Sequence, residues 1–276
     1  METKPIIYDR FSCNKCFDKS SLDFDFTMAF QPIINCKTNT IFGYEALVRG
    51  LQNESAFSVI DQVNDDNRYL FDQLCRVKAI ALAAKLKLDS MLSINFLPNA
   101  IYKPERCIRT TLEAAKEYGF PTNRIMFEFT ENENISDTEF VKGIVEYYKK
   151  SGFITALDDF GSGYAGLGLL ADFQTNIIKF DMKLIRNIDQ DSTRQAIIKN
   201  CVNLFAELNI TSLAEGVETI EEMLWLRDSG IDLMQGYLFA KPGFECLPQV
   251  DFDEISRYES KAKHSHKQSL HDGAGI

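Results

Sequence analysis

TMAFQPIINCKTNTIFGYEALVRG, residues 27–50, decides the fold. It holds two apolar, strand-like runs, 27–34 and 40–50, with only NCKTN (35–39) between them. Parallel neighbours need a crossover of about a dozen residues, which this link is too short to supply. The two runs are therefore expected to pair as an antiparallel hairpin. From residue 91 the pattern changes. The short apolar runs MLSINFL, RIMFEFTE, FITALDD, NIIKFD, TSLAEG and LMQGYLFA alternate with ERCIRTTLEAAKEYG, TEFVKGIVEYYKK, STRQAIIKNCVNLFAELN and TIEEMLWLRDSG, whose apolar residues recur at helical spacing. A shorter helical piece follows FITALDD. Such alternation argues for a parallel sheet. The hairpin raises the strand candidates to eight, the number expected for an α/β, TIM-like (β/α)₈ barrel, here with an antiparallel first strand. Residues 57–86 are long enough for a helical insertion plus the first barrel helix.

The remainder of the composition sets limits. The chain has 276 residues, 45% of them hydrophobic, enough for a sizeable core. No apolar run approaches the roughly 18 residues of a membrane span, and the first residues lack the apolar segment of a signal peptide. Seven cysteines scattered through apolar and helical segments read as reduced thiols, so a cytoplasmic protein is expected. A formal charge of −10 argues against a nucleic-acid polymer as partner. All three histidines, His264, His266 and His271, fall in the terminal stretch, so the body offers no histidine for a zinc site or a triad. A metal site in the body would use carboxylate and amide oxygens, which suit Mg²⁺ or Mn²⁺. Cys13 and Cys16 form a CxxC, but no second CxxC or nearby histidine completes a zinc site.

In a barrel the active site sits at the C-terminal ends of the strands. There the second run carries Glu45 and Arg49, the third Asn95, and the fourth Glu128 and Glu131. The fifth ends in Asp158 and Asp159, the sixth carries Lys179 and Asp181, the seventh Glu215 and Glu218, and the eighth Gln235. Isolated buried carboxylates are costly, whereas several converging ones are tolerable around divalent cations. The doublet is the sharpest case. Neighbouring residues on a strand face opposite ways, so the doublet is expected where the strand has just ended and both carboxylates can reach a cation. Taken alone, Glu218 and Asp181 read equally well as rim charges or helix caps, and Gly161 and Gly163 as a turn.

The motifs EALVRG, SINFLP, FEFTEN, LDDFGSGYAGL, IIKFD, AEGVE and QGYLFAKP, in this order, resemble the EAL-domain phosphodiesterases that hydrolyse cyclic di-GMP. The resemblance covers roughly residues 25–245 and implies a barrel with an antiparallel first strand. Residues 1–24 and 258–276 are polar and lack periodicity, so they are expected to be an N-terminal extension and a flexible polar tail on either side of an EAL phosphodiesterase domain over 25–257. The resemblance implies metal ligation by Glu45, Asn95, Glu128, Asp158, Asp159 and Glu215, holding two Mg²⁺ or Mn²⁺ ions. It implies catalytic roles for Glu45, Lys179, Glu215 and Gln235. Lys179 would orient or activate the attacking water, and Gln235 would support the water and metal site. Arg49, Gln31 and Asp181 would contact substrate, with Arg49 on a phosphate. Glu131 would anchor the loop FGSGYAG, which the family links to dimer contacts, so a homodimer is implied. The implied reaction opens cyclic di-GMP to linear pGpG. The alternative is a catalytically silent EAL domain that binds the nucleotide and signals through a protein partner. Phe180, Ala165, Gly166 and Gly50 depart from the family's usual residues, and none removes an oxygen ligand.

Overall fold

The structure is a computed structural model, and it describes residues 22–98, 101, 104–130, 138–163 and 166–260. The hairpin forms as expected. β1 (Thr27–Asn35) and β2 (Thr40–Arg49) pair antiparallel, from Thr27 opposite Arg49 to Asn35 opposite Thr40. The remaining barrel strands are β3 (Met91–Asn95), β4 (Ile125–Thr130), β5 (Ile154–Phe160), β6 (Ile177–Phe180), β7 (Thr211–Ala214) and β8 (Leu233–Gln235). They run parallel in sequence order from β2 to β8. β1 closes the ring, antiparallel to β2 on one side and to β8 on the other. A two-residue strand, β9 (Gly243–Phe244), adds to β1.

The helices lie where the periodicity puts them. The insertion after β2 becomes α1 (Ala56–Ile60) and α2 (Arg68–Lys85). There follow α3 (Pro104–Tyr118), α4 (Thr138–Lys150) and α5 (Gly166–Asp172). The last three are α6 (Met182–Ile185), α7 (Ser192–Glu207) and α8 (Ile220–Asp228). α4 buries Val141, Ile144, Val145 and Tyr148, a one-sided stripe at helical spacing. α8 starts at a capping box, Thr219 accepting from the Glu222 amide while Glu222 accepts from the Thr219 amide.

Three details differ from the sequence reading. The run LMQGYLFA yields only three strand residues, because the chain turns after Gln235, where the amides of Phe239 and Ala240 donate back to the Gly236 carbonyl at 3.1 and 3.3 Å. α6 is a single turn capped by Asp181, too short for periodicity to show. A helix over residues 252–260 crosses the boundary drawn at 257, and Glu259 there accepts from Arg227 at 2.8 Å.

The core has two parts. The larger lies between the barrel and its helices and includes the edge-to-face rings of Phe96, Phe127 and Phe129. The smaller gathers Ile33, Met126, Ala156, Ile177, Leu213 and Leu233 from six different strands, and it fills the inside of the barrel. Among the described residues, no helix is long and apolar enough to cross a membrane.

Candidate active site

Directly above the inner apolar cluster, the same strand faces turn charged. At the centre is Lys179 of β6, wholly buried, with its Nζ 2.6 Å from Glu215 Oε1 and 2.7 Å from Glu128 Oε2. The same Nζ lies 3.1 Å from Asp158 Oδ1 and 3.7 Å from Glu45 Oε2. Four carboxylates from four strands or strand ends thus share one ammonium. One positive charge cannot balance four negative ones at this depth, so the cluster is short of positive charge.

The titration of the groups follows from that imbalance. Burial alone would lower the Lys179 pKa, but Asp158, Glu128, Glu215 and Glu45 outweigh it and hold the amine well above its usual range. Glu128 is shifted upward, chiefly by burial and further by Glu45 and Asp158, against the pull of Lys179. Glu215 is raised well above the carboxylate range by burial and then by Asp158. Asp159 is pushed up to about 6 by burial, Asp158 and Asp181. Glu128, Glu215 and Asp159 are thereby displaced toward their protonated forms, beside an amine held charged.

The doublet reaches the site in a way the sequence reading did not foresee. β5 does not end before it but runs through Phe160. The register with β6 slips between Leu157 and Phe160, a β-bulge, and Asp159 adopts the left-handed conformation at φ +57°. Aspartate tolerates that region better than most residues, and Asp158 Oδ1 accepts from the Asp159 amide at 3.0 Å. The bulge breaks the alternation, so both carboxylates come to one side. Oxygens of Asp158, Asp159 and Glu215 lie within 4.8 Å of one another, as do those of Glu45, Glu128 and Asp158.

Amides frame the carboxylates. Asn95, paired with Glu128 at the end of β3, donates from Nδ2 to Glu45 Oε1 at 2.8 Å. Gln235 donates from Nε2 to Glu45 Oε2 at 2.8 Å and to Gln31 Oε1 at 3.2 Å. Gln31 in turn donates to the carbonyl of Ala240. A cavity of about 230 Å³ opens beside them, bordered by Glu45, Asp159, Glu215, Gln31 and Gln235. Met182, Gly216, Gly236 and Tyr237, none of them singled out from sequence, also border it. The available signal was a glycine directly after Glu215 and another after Gln235. Gly216 sits at φ +66°, and a Cβ there would meet Met182.

The other expected residues divide. Asp181 borders the cavity, but its Oδ1 accepts from the Lys183 amide at 2.8 Å as the cap of α6. Glu218 borders it too and pairs with Arg186 at 2.6 Å. Arg49, half-buried on the Glu45 face of β2, donates to the carbonyl of Val48 at 2.7 Å. Glu131 and Tyr164 and Ala165 of the glycine loop lie outside the described residues, as do Cys13 and Cys16.

The residues fit hard divalent cations. Every donor is a carboxylate or amide oxygen, two carboxylate triads are close enough to share ions, and Asp158 belongs to both. Glu128 Oε1 and Gln235 Oε1 are buried with no hydrogen-bond partner among the described residues, which leaves acceptors ready for ligation.

Comparison with known proteins gives a consistent answer. The sequence pattern of the family described as EAL domain matches residues 19–242. A standalone versatile EAL protein from Vibrio cholerae O395, solved in a c-di-GMP bound form, is 72% identical with a TM-score of 0.83, over 86% of this chain and 99% of that one. A manganese/cy-diGMP complex of Klebsiella pneumoniae BlrP1 is 34% identical with a TM-score of 0.76, over 82% of this chain and 58% of that one. The blue light- and temperature-regulated antirepressor BluF of Escherichia coli K12 is 34% identical over 82% of this chain and 56% of its own length. The probable cyclic di-GMP phosphodiesterase PdeG of the same organism is 30% identical over 85% of this chain and 47% of its own length. The chain therefore spans about half the length of these curated relatives.

Proposed function

The chain belongs to the EAL domain family, and from that premise we propose that it is a divalent-cation-dependent phosphodiesterase that opens cyclic di-GMP to linear pGpG. The observation that carries this reading is the pair of carboxylate triads joined at Asp158 around the buried Lys179. A protein that had given up hydrolysis would have no need to keep so many uncompensated acids together. Glu45, Asn95, Glu128, Asp158, Asp159 and Glu215 are the proposed ligands of two Mg²⁺ or Mn²⁺ ions. Bound there, such ions would supply the missing positive charge, attract a phosphodiester of the dianionic nucleotide and lower the pKa of water toward neutrality.

In the reaction, the water oxygen bonds to phosphorus and gives up a proton to solvent, while the P–O3′ bond breaks, leaving a 5′-phosphate and a 3′-oxygen that takes a proton from solvent to become the hydroxyl. Lys179, whose Nζ lies 2.6 Å from Glu215, 2.7 Å from Glu128 and 3.1 Å from Asp158, is placed to orient or activate the attacking water. Gln235 and Gln31 hold Glu45 and the adjoining wall of the cavity. Arg49 contacts a substrate phosphate after leaving the Val48 carbonyl, and Asp181 shapes the floor while capping α6. The reading includes a homodimer, supported by Leu167, 62% exposed on α5 beside the glycine loop. It also includes a cytoplasmic location, supported by the buried free thiols of Cys36, Cys75 and Cys107.

Purified protein with Mn²⁺ and cyclic di-GMP, analysed by chromatography, is expected to yield pGpG, and a chelator or Glu45→Ala is expected to stop it. A second reading, a nucleotide receptor that acts through a protein partner, is favoured by the likeness to an antirepressor. Nucleotide retained by the protein without pGpG, in Mn²⁺-loaded samples, would establish the receptor in place of the hydrolase.

A further inference from the structure

Behind the rim, outside the barrel, lies a buried ion pair that the reaction does not use. Asp72 and Arg76 stand one turn apart on α2, each about 1% exposed in the side chain, with Arg76 Nη2 2.6 Å from Asp72 Oδ2. Arg76 also donates from Nε to the backbone carbonyl of Asp72, at 3.3 Å. The other carboxylate oxygen leaves the helix: Asp72 Oδ1 accepts from the backbone amide of Leu97 at 3.0 Å. Leu97 is two residues past Asn95, where β3 has ended and no strand ladder holds the chain.

Between them, Phe96 is fixed from both sides. Its amide donates to the Glu128 carbonyl at 2.9 Å, and its ring meets Tyr148, Phe127 and Phe129 at centroid distances of 5.6, 5.8 and 5.6 Å. The segment Asn95–Leu97 is thus tied to β4 in front and to α2 behind. The second tie is the Asp72 carboxylate, and Arg76 orients that carboxylate.

Stability does not account for the pair. Burial raises the Asp72 pKa despite the opposing pull of Arg76 and of the Leu97 amide, so the local environment disfavours the charge it contains. Buried pairs of this kind are often replaceable by apolar residues of similar volume without loss of stability. What an apolar pair cannot do is accept a hydrogen bond from Leu97.

We infer that Asp72, oriented by Arg76, is a positioning residue that fixes the end of β3 through the Leu97 amide and so holds the Asn95 carboxamide against Glu45 for cation binding. The inference rests on the proposed metal-dependent reading of the site. Partners that orient a metal ligand typically contribute tenfold to a hundredfold in affinity or activity.

Two double variants isolate the hydrogen bond. Asp72→Leu with Arg76→Met removes the pair and the acceptor. Asp72→Asn with Arg76→Met removes the same charges but keeps an oxygen for Leu97. Mn²⁺ affinity is measured by calorimetry on protein without nucleotide, with thermal unfolding and Mn²⁺-dependent turnover alongside. The Leu/Met variant is expected to unfold near the wild-type temperature, to bind Mn²⁺ about tenfold or more weakly, and to recover turnover as Mn²⁺ is raised. The Asn/Met variant is expected to bind Mn²⁺ more tightly than the Leu/Met variant and less tightly than wild type, because it keeps an acceptor for Leu97 but loses the orientation that Arg76 supplies. Should the Leu/Met protein not fold, Leu97→Pro removes the donor from the other end and is expected to show the same loss. Wild-type Mn²⁺ affinity in a folded Leu/Met or Leu97→Pro variant would overturn the inference. Asn95→Ala separates the two readings. If it weakens Mn²⁺ binding while the Asp72 and Leu97 variants do not, the metal site stands and the positioning role falls. If wild-type protein binds no Mn²⁺, both fall together.

Discussion

Two layers inside the barrel stand a single strand repeat apart and obey opposite rules. The lower holds Met126, Ala156, Ile177, Leu213 and Leu233; the upper holds Glu128, Asp158, Lys179, Glu215 and Gln235. Each upper residue follows its lower counterpart by two positions, on the same strand or, for Glu215, just past the end of β7. On β1 the order reverses, Gln31 preceding Ile33, because that strand runs the other way. The lower layer is apolar and closes on itself. The upper layer spends that stability on charges that do not balance within the protein. A barrel can carry such a layer because the one beneath it, and the helices around it, hold the strands in place regardless.

Separating the two layers by mutation is the direct test. The largest effect is expected from Glu45→Ala in the upper layer, which should lower turnover about a thousandfold or more, since a lost ligand forfeits several kcal/mol of charge stabilisation. The cation-free stability of that variant should shift by only about 1 kcal/mol, because relief of repulsion opposes the hydrogen bonds lost by Asn95 and Gln235. Steady-state assays and thermal unfolding on the same sample check both. A variant that lost activity only by unfolding would break the comparison.

Ile177→Ala, one step below Lys179, should do the reverse. Removing this buried side chain should cost about 3 kcal/mol of stability with turnover per folded molecule nearly kept. Denaturant titration with active-site-normalised rates would show it.

The doublet should respond less than Glu45. Asp158→Asn and Asp159→Asn keep shape and lose charge, and each is expected to reduce turnover by about tenfold to a hundredfold. The double change should fall short of the product of the two, since both act on one cluster. Near-normal turnover in Asp159→Asn would mean that the bulge at φ +57° does not bring this carboxylate to the reaction.

The smallest effect concerns protons. With its folded pKa near 6, against an ordinary value of 3.8, Asp159 holds a proton in the native state that the unfolded chain releases. Its contribution therefore favours folding at low pH and is lost as pH rises from about 4 to about 6. Partial exposure weakens the effect through solvent screening. Unfolding temperatures of cation-free protein between pH 4 and 7 should show this slope together with that of Glu128 and Glu215, and Asp159→Asn should reduce it. Cations bind the ionised forms, so Mn²⁺ affinity should fall as pH drops, starting near pH 8 with Glu128 and continuing through about 6 with Asp159.

Much of this was legible in the chain. The short NCKTN link gave the hairpin away, and the polar residue near the end of each apolar run pointed to the rim. Other features lay beyond pattern. The left-handed turn at Asp159 leaves no mark in periodicity, and neither does the bond from Asp72 to Leu97, whose partners are 25 residues apart. Asp181 matched a helix cap and a substrate contact equally, and the structure shows the cap while placing it at the cavity.

By itself the sequence determined the number and direction of the barrel strands, and which strand end carries which oxygen donor, because backbone alternation and loop length are local properties. Only the tertiary structure decided which donors meet. Lys179 reaches Glu128 across 51 residues of chain, and Gln235 reaches Glu45 across 190. Closure of the barrel brings them together, and the charge left over when they meet is a property of the assembled ring, because burial and proximity set the cost of a charge and no single strand has either.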